Sequence, residues 1–136
     1  MDKNTLFRTL SAKGITKVVI HFSGGNDEGG ADSALATMTD GSEQSLPDQY
    51  SVHQDWQTKQ WVTYDEKTRA QRPATAEEQA AAVLSQALEQ PIYDRWGSFA
   101  GEFSVDGTLT WDVLAQSVKL DGQESVEHYE SFEDEL

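Results

Sequence analysis

The sequence predicts an α+β fold: an antiparallel sheet of short strands with two helices packed on one face, in a single domain over residues 1–136. Three observations predict it. Short β-branched and aromatic runs, among them Lys17 to Phe22 and Gln60 to Tyr64, end against glycine-rich or polar turn signals. Two segments, one around Leu6 and one after Thr75, place apolar residues at helical spacing. A meander of strands with only two helices is the pattern of an antiparallel sheet covered on one side. No internal repeat or low-complexity linker divides the chain.

Residues Asp2 to Ala12 put Leu6, Phe7 and Leu10 on one helical face, and Gly14 follows as a left-handed stop. Lys-Val-Val-Ile-His-Phe, residues 17–22, then reads as a buried strand in which His21 is a core or sheet-face histidine. It runs into Ser-Gly-Gly-Asn-Asp-Glu-Gly-Gly, whose glycines permit the positive φ angles of a tight loop. Ala31 to Met38 returns as the antiparallel partner, with Ala34, Ala36 and Met38 on one face. Thr39 to Ser51 is polar, contains Gly41 and Pro47, and reads as a surface loop. Trp56 joins the aromatic cluster of the strand Gln60 to Tyr64.

Thr75-Ala-Glu-Glu78 matches a capping box, which opens a helix whose stripe is Ala80, Val83, Leu84, Ala87 and Leu88 and which Pro91 ends. Beyond it, Phe103 and Val105, the turn signal Asp106-Gly107, and Leu109, Trp111 and Val113 form a hairpin signature. Val118 and Leu120 make a further strand, followed by the second pair Asp121-Gly122.

The charge is uneven along this layout. With 24 acids and 10 bases the net charge is -14, and from Gln71 to Leu136 only Arg72, Arg95 and Lys119 are basic. The excess culminates in a base-free acidic segment, residues 122–136. A field of that sign repels nucleic acid and anionic membranes and attracts basic partners. The chain has no cysteine, which excludes disulfides, thiolate nucleophiles and cysteine-bound zinc. The opening residues lack a secretory pattern and no stretch reaches the roughly 20 apolar residues of a membrane span, so a cytoplasmic protein without membrane contact is expected.

Several of these segments together resemble a family of short acidic bacterial proteins of unknown function. The similarity lies in the first helix, the run Ile-Thr-Lys-Val-Val-Ile-His-Phe-Ser-Gly-Gly-Asn-Asp-Glu-Gly-Gly, the capped helix, Gly101-Glu-Phe103, and Val-Lys-Leu-Asp-Gly-Gln-Glu before an acidic aromatic ending. Asp106 to Trp111 reads as an extra stretch within it. The resemblance implies the same fold and brings no activity or site.

Candidate chemistry is sparse. Asn26, Asp27, Glu28 and Asp32 gather oxygen ligands in a glycine loop but lack the order of an EF-hand, and turn chemistry accounts for them; no metal and no cofactor is expected. The glycine doublets lack the Lys-Ser or Lys-Thr of a phosphate loop. His21, His53 and His128 are scattered, and Glu127-His128-Tyr129 is a weak acid–base group because neighbours on a strand face opposite sides. Glu102 and Asp112 would oppose each other across an Asp106-Gly107 turn and could then raise one another's pKa. No serine has an elbow motif.

The acidic ending offers more. Glu124, Glu127, Glu130 and Glu133 recur every third residue with aromatics between them, so Glu124, Glu127, Tyr129, Glu130, Phe132, Glu133, Asp134 and Glu135 are the expected partner-binding residues. Repeated carboxylates can imitate phosphates and compete for Lys and Arg clefts, while aromatics add desolvated anchors. The expected function is a non-catalytic inhibitor that engages a basic, nucleic-acid-binding protein and does not itself bind nucleic acid. A phage or mobile-element inhibitor of a nuclease defence, of the anti-CRISPR type, is its sharpest form. The alternatives are an immunity protein or antitoxin, and a metal-dependent hydrolase built on the clustered carboxylates.

Overall fold

The computed structural model describes residues 2–46, 52–125 and 129–136, with the backbone alone for residues 129 and 130. In chain order the elements are α1 (Lys3–Ala12), β1 (Ile15–Gly25), β2 (Glu28–Met38), β3 (Glu43–Ser45), β4 (Val52–Gln54), β5 (Trp61–Asp65), β6 (Ala70–Pro73), α2 (Ala76–Trp96), β7 (Ser104–Asp112), β8 (Ser117–Ser125) and β9 (Tyr129–Glu135). The strands form two antiparallel sheets, one ordered β3-β2-β1-β7-β8-β9 and a smaller one ordered β4-β5-β6. The α+β class read from the sequence is the class observed.

Asp2 caps α1 by accepting the Thr5 amide at 2.7 Å, and Gly14 takes the left-handed turn after it at φ 74°. Leu6, Phe7 and Leu10 are buried as the spacing predicts. β1 and β2 meet in a two-residue turn made by Asn26 and Asp27, with φ 53° and 69°, the pattern of a type I′ hairpin. Gly25 beside the turn takes a positive φ of 135°, while Gly24 and Gly29 serve packing: a Cβ on either would lie 2.2 or 2.6 Å from the Phe99 ring.

The core lies on one face of the large sheet. Cross-strand pairing sets Val18 opposite Trp111, Ile20 opposite Leu109, and then Val118 and Leu120 on the next strand. Side chains that oppose one another on adjacent strands share a face. Leu84, Leu88 and Ile92 of α2 join the same buried cluster as Leu6, Phe7 and Leu10 of α1. Phe7 meets Trp111 edge-on with ring centres 5.6 Å apart.

The capping box of α2 is present in both directions: Thr75 Oγ1 accepts the Glu78 amide at 3.1 Å and Glu78 Oε1 accepts the Thr75 amide at 3.0 Å. Arg72 of β6 donates to both oxygens of the same carboxylate, at 2.8 and 3.0 Å, tying the small sheet to the helix start. Arg72 first, then the Thr75 amide, lowers the Glu78 carboxyl from 4.5 to about 2.

Several expectations are corrected. Pro91 does not end α2, which continues to Trp96 and stops at Gly97. An internal proline costs about 3 kcal/mol, and the turn beyond it offsets that by burying Ile92 and packing Tyr93 and Trp96 against the core. In the turn that Pro91 disturbs, the Leu88 carbonyl accepts the Trp111 indole N–H at 2.9 Å. The buried stripe of α2 is also rotated from the expected one: Ala82, Leu84, Ser85, Leu88, Glu89 and Ile92 are buried, whereas Ala80 and Val83 are exposed.

Asp106-Gly107 is not a turn but the middle of β7, and Asp121-Gly122 is the middle of β8; the turn between them holds Gln116 at φ 54°. Gly107 and Gly122 pair directly, and the local turn preference yields to close packing around them. A Cβ on Gly107 would sit 2.3 Å from the Asp121 carbonyl oxygen, and one on Gly122 would sit 2.2 Å from that of Asp106. Part of the expected loop, Glu43 to Ser45, is a strand because its backbone pairs with β2. Trp56 is 77% exposed and joins no cluster, since it stands in the turn between β4 and β5. Of the two places open to His21, the structure gives the sheet face: with β1 core-facing at even positions Val18, Ile20 and Phe22, its odd position turns outward.

Two predictions follow from this packing. Replacing Gly107 with Ala should lower the unfolding free energy by about 1–3 kcal/mol in urea, as overpacked sites do; an unchanged midpoint would contradict it. The depressed Glu78 carboxyl stabilises the fold fully above its ordinary value of 4.5, and that contribution is lost as pH falls towards 2. Glu78→Gln should therefore flatten the decline of stability with acid across that window, and equal slopes in the two proteins would count against the pairing.

Candidate interaction surface

A strand has a side-chain period of two, and Glu124 and Glu133, the two members of the every-third-residue repeat whose side chains are described, fall on opposite faces of the sheet. The segment Tyr129–Glu135 is β9, paired along β8. Glu133 lies opposite Asp121 and Glu135 opposite Lys119, on the face away from the helices. Phe132 lies opposite Gly122 and Asp134 opposite Leu120, on the helix side, where Glu124 also falls opposite Val105.

The helix-side residues are engaged within the molecule. Asp134 forms an ion pair with Arg95, and Glu124 Oε1 accepts the Trp96 indole N–H at 3.3 Å. Trp96 packs on Phe132 and on Phe22, with ring centres 5.5 and 5.1 Å apart. The Arg95 guanidinium carbon stands 4.7 Å from the Phe132 ring centre and 5.0 Å from that of Trp96. Glu124, Phe132 and Asp134 thus fasten β9 to the end of α2. Glu127 and His128 lie outside the described residues, as do the side chains of Tyr129 and Glu130; the Glu130 backbone pairs opposite Glu124.

The opposite face of the large sheet is left uncovered by the described residues. Lys17, His21 and Ser23 of β1, Asp106 of β7, Lys119, Asp121 and Gln123 of β8, and Ser131, Glu133 and Glu135 of β9 are exposed along it. Its centre holds the half-buried Val19, Leu35, Thr108 and Thr110. Asp106, Asp112, Asp121, Glu133 and Glu135 face Lys17 and Lys119, so the field over this surface is negative. Lys119 Nζ is 2.5 Å from Glu133 Oε1, and that bond raises the lysine pKa. Outward positions repeat about every 7 Å along a strand and about every 5 Å across strands, which makes the face a fixed lattice of carboxylates and hydroxyls.

The other carboxylate candidates are dispersed. Asp27 Oδ1 accepts the Gly101 amide at 3.2 Å, and Asp32 Oδ2 accepts the Ser23 hydroxyl at 2.8 Å. Glu102 precedes β7 and Asp112 ends it, so the expected opposition is absent; Asp112 pairs with Ser117 and Lys17 instead. Among the described residues no group of three His, Asp or Glu is arranged to hold a metal ion. Arg95, Trp96 and the outward Asp106 and Asp121 are not singled out by sequence reasoning. The recurrence of Asp-Gly in two adjacent strands is the signal that would have found the two aspartates.

A family model described as a family of unknown function, DUF6878, matches residues 1–136, and the chain belongs to that family. No curated protein and no solved structure matches it. Among the described residues no helix is long and apolar enough to cross a membrane.

Arg95→Ala should loosen β9 selectively: its amides should exchange faster with deuterium while those of β1 and β7 keep their protection. Unchanged protection in β9 would show that the fastening to α2 does not hold the strand.

Proposed function

We propose that this DUF6878 member is a non-catalytic binding or inhibitor protein that engages a basic, nucleic-acid-handling protein through the uncovered face of its large sheet. One observation carries the reading: Asp106, Asp121, Glu133 and Glu135 stand outward on three adjacent strands of a face that no helix covers. Carboxylates fixed on a sheet lose little freedom when they meet Lys or Arg side chains, whereas charges on a flexible tail must be ordered at binding. The half-buried Val19 and Leu35, on β1 and β2 beside the carboxylates, supply apolar contact where charge alone gives little affinity. The surface suits a protein cleft evolved for phosphates, and its sign opposes nucleic acid itself.

The anti-CRISPR form of this reading and the immunity-protein form use the same surface. The captured partner, a defence nuclease or a toxin, separates them. Lack of cysteine supports a cytoplasmic setting.

The test is capture of a partner from host lysate by the full chain and by the variant Asp106→Asn, Asp121→Asn, Glu133→Gln, Glu135→Gln. The wild type should release its partner at about 1 M salt, where the screening length falls to about 3 Å, and the variant should fail to capture it at low salt. Equal capture by both proteins at both salt concentrations would sink the proposal.

A further inference from the structure

We infer that the outer edge of β2, over residues 28–33, takes up an extended basic segment of another protein as an added strand. β2 runs from Glu28 to Met38, yet β3 pairs only with Leu35, Ala36 and Thr37, and beyond them the Leu46 amide donates to the Ala34 carbonyl at 2.9 Å. Among the described residues no strand lies beside residues 28–33 on that side. Counted from the two-residue turn, where Gly25 and Glu28 face each other as a bonded pair, Gly29 and Ala31 point their amides and carbonyls away from β1. Such a row is a template for another strand. Gly29 and Gly30 place no side chain in the way of an approaching backbone.

Each face of this edge has a hollow beside it. An added strand sends its side chains alternately to the two faces, so main-chain bonds supply affinity and a hollow on each face supplies specificity. On the helix side a cavity of about 170 Å³ lies between Ala31 and Ala34 of β2, Ser45 of β3 and Glu89 of α2, whose side chain is buried at 3% exposure. On the outward side a second hollow, of about 430 Å³, is lined by Ser23, Glu28, Gly30 and Asp32.

Charge selects the occupant. Among the described residues neither hollow is lined by Lys or Arg, while Glu28 and Asp32 line the outward one. Lys or Arg at alternate positions of the incoming strand meets those two carboxylates, and a small hydroxyl residue such as Thr at the intervening positions turns towards Ser45 and Glu89. A second copy of this chain is a poor occupant. Two such edges paired about a two-fold axis set Glu28 and Asp32 of one chain against the same carboxylates of the other, and like charges opposite one another destabilise a sheet. The contact is separate from the outward carboxylates of β7, β8 and β9 and stands without them.

The test is titration of the full chain with a short blocked peptide of alternating Lys and Thr, with amide hydrogen exchange followed residue by residue. Gly29 and Ala31 should exchange fast in the free protein and at least about tenfold more slowly with the peptide bound. Ala31→Pro removes one outward donor and leaves the bonds to β1 in place; it should weaken binding by about tenfold, with an unchanged circular dichroism spectrum. Of two further peptides, N-methylated at every Lys or at every Thr, one should lose binding, because only one set of amides faces β2. Glu133→Gln with Glu135→Gln, at the far edge of the sheet, should leave the slowing intact. Slow exchange of Gly29 and Ala31 in the free protein would overturn the inference, as would a peptide that leaves their exchange unchanged or equal binding by both methylated peptides.

Discussion

The packing of Trp96 on Phe22 and Phe132 is the contact on which the remaining architecture depends. Gly107 and Gly122 face one another in the middle of the large sheet, and the two phenylalanines reach over them from the strands on either side, each to within 3.0 Å of where a Cβ would stand. Trp96 closes over both rings and also stacks on Phe99, with planes 9° apart and centres separated by 6.2 Å. Aromatic side chains of this size bury about 150–250 Å² each, so the group contributes several kcal/mol at about 25 cal/mol per Å². It joins β1, β8 and β9 through one helix end. The N-terminal hairpin, the C-terminal meander and α2 thereby become one body.

That fastening decides what each acidic residue does. A strand held in register at a sheet edge divides its side chains strictly between two faces. Glu124 and Asp134 turn inward to Trp96 and Arg95, while Glu133 and Glu135 turn outward beside Asp121 and Lys119. The acidic excess is thus partly structural. What remains outward on β9 lies beside the outward residues of β7 and β8, far from the chain end in sequence. Charges on an edge strand also hinder unwanted strand pairing, and β9 meets that need with the outward carboxylates of Glu133 and Glu135.

The sequence was most legible where local chemistry and tertiary packing agree. Leu6, Phe7, Leu10 and Gly14 mark the buried face and the end of α1, and the Thr75 capping box marks the start of α2 to the residue. Legibility failed where packing overrides a local preference. Two Asp-Gly pairs signal turns, but placed opposite each other they make the gap that Phe22 and Phe132 cover. Pro91 signals a stop, but the turn beyond it buries Ile92 and positions Trp96. The three-residue acidic spacing does not say which face a strand residue takes, and only pairing with β8 divides Glu133 and Glu135 from Asp134. The buried stripe of α2 is rotated from the one its apolar spacing suggests, because it takes in Ser85 and Glu89 and leaves Ala80 and Val83 outside.

The account's central claim is that the uncovered sheet face, and not the chain end as such, is the binding surface. Chemical-shift mapping of backbone amides during titration with an arginine-rich peptide tests it most directly. The claim predicts shifts at Thr108, Asp121, Glu133 and their outward neighbours on β1 and β7, fading as salt is added. Shifts confined to the last residues of the chain or to the helices, with the sheet silent, would contradict it.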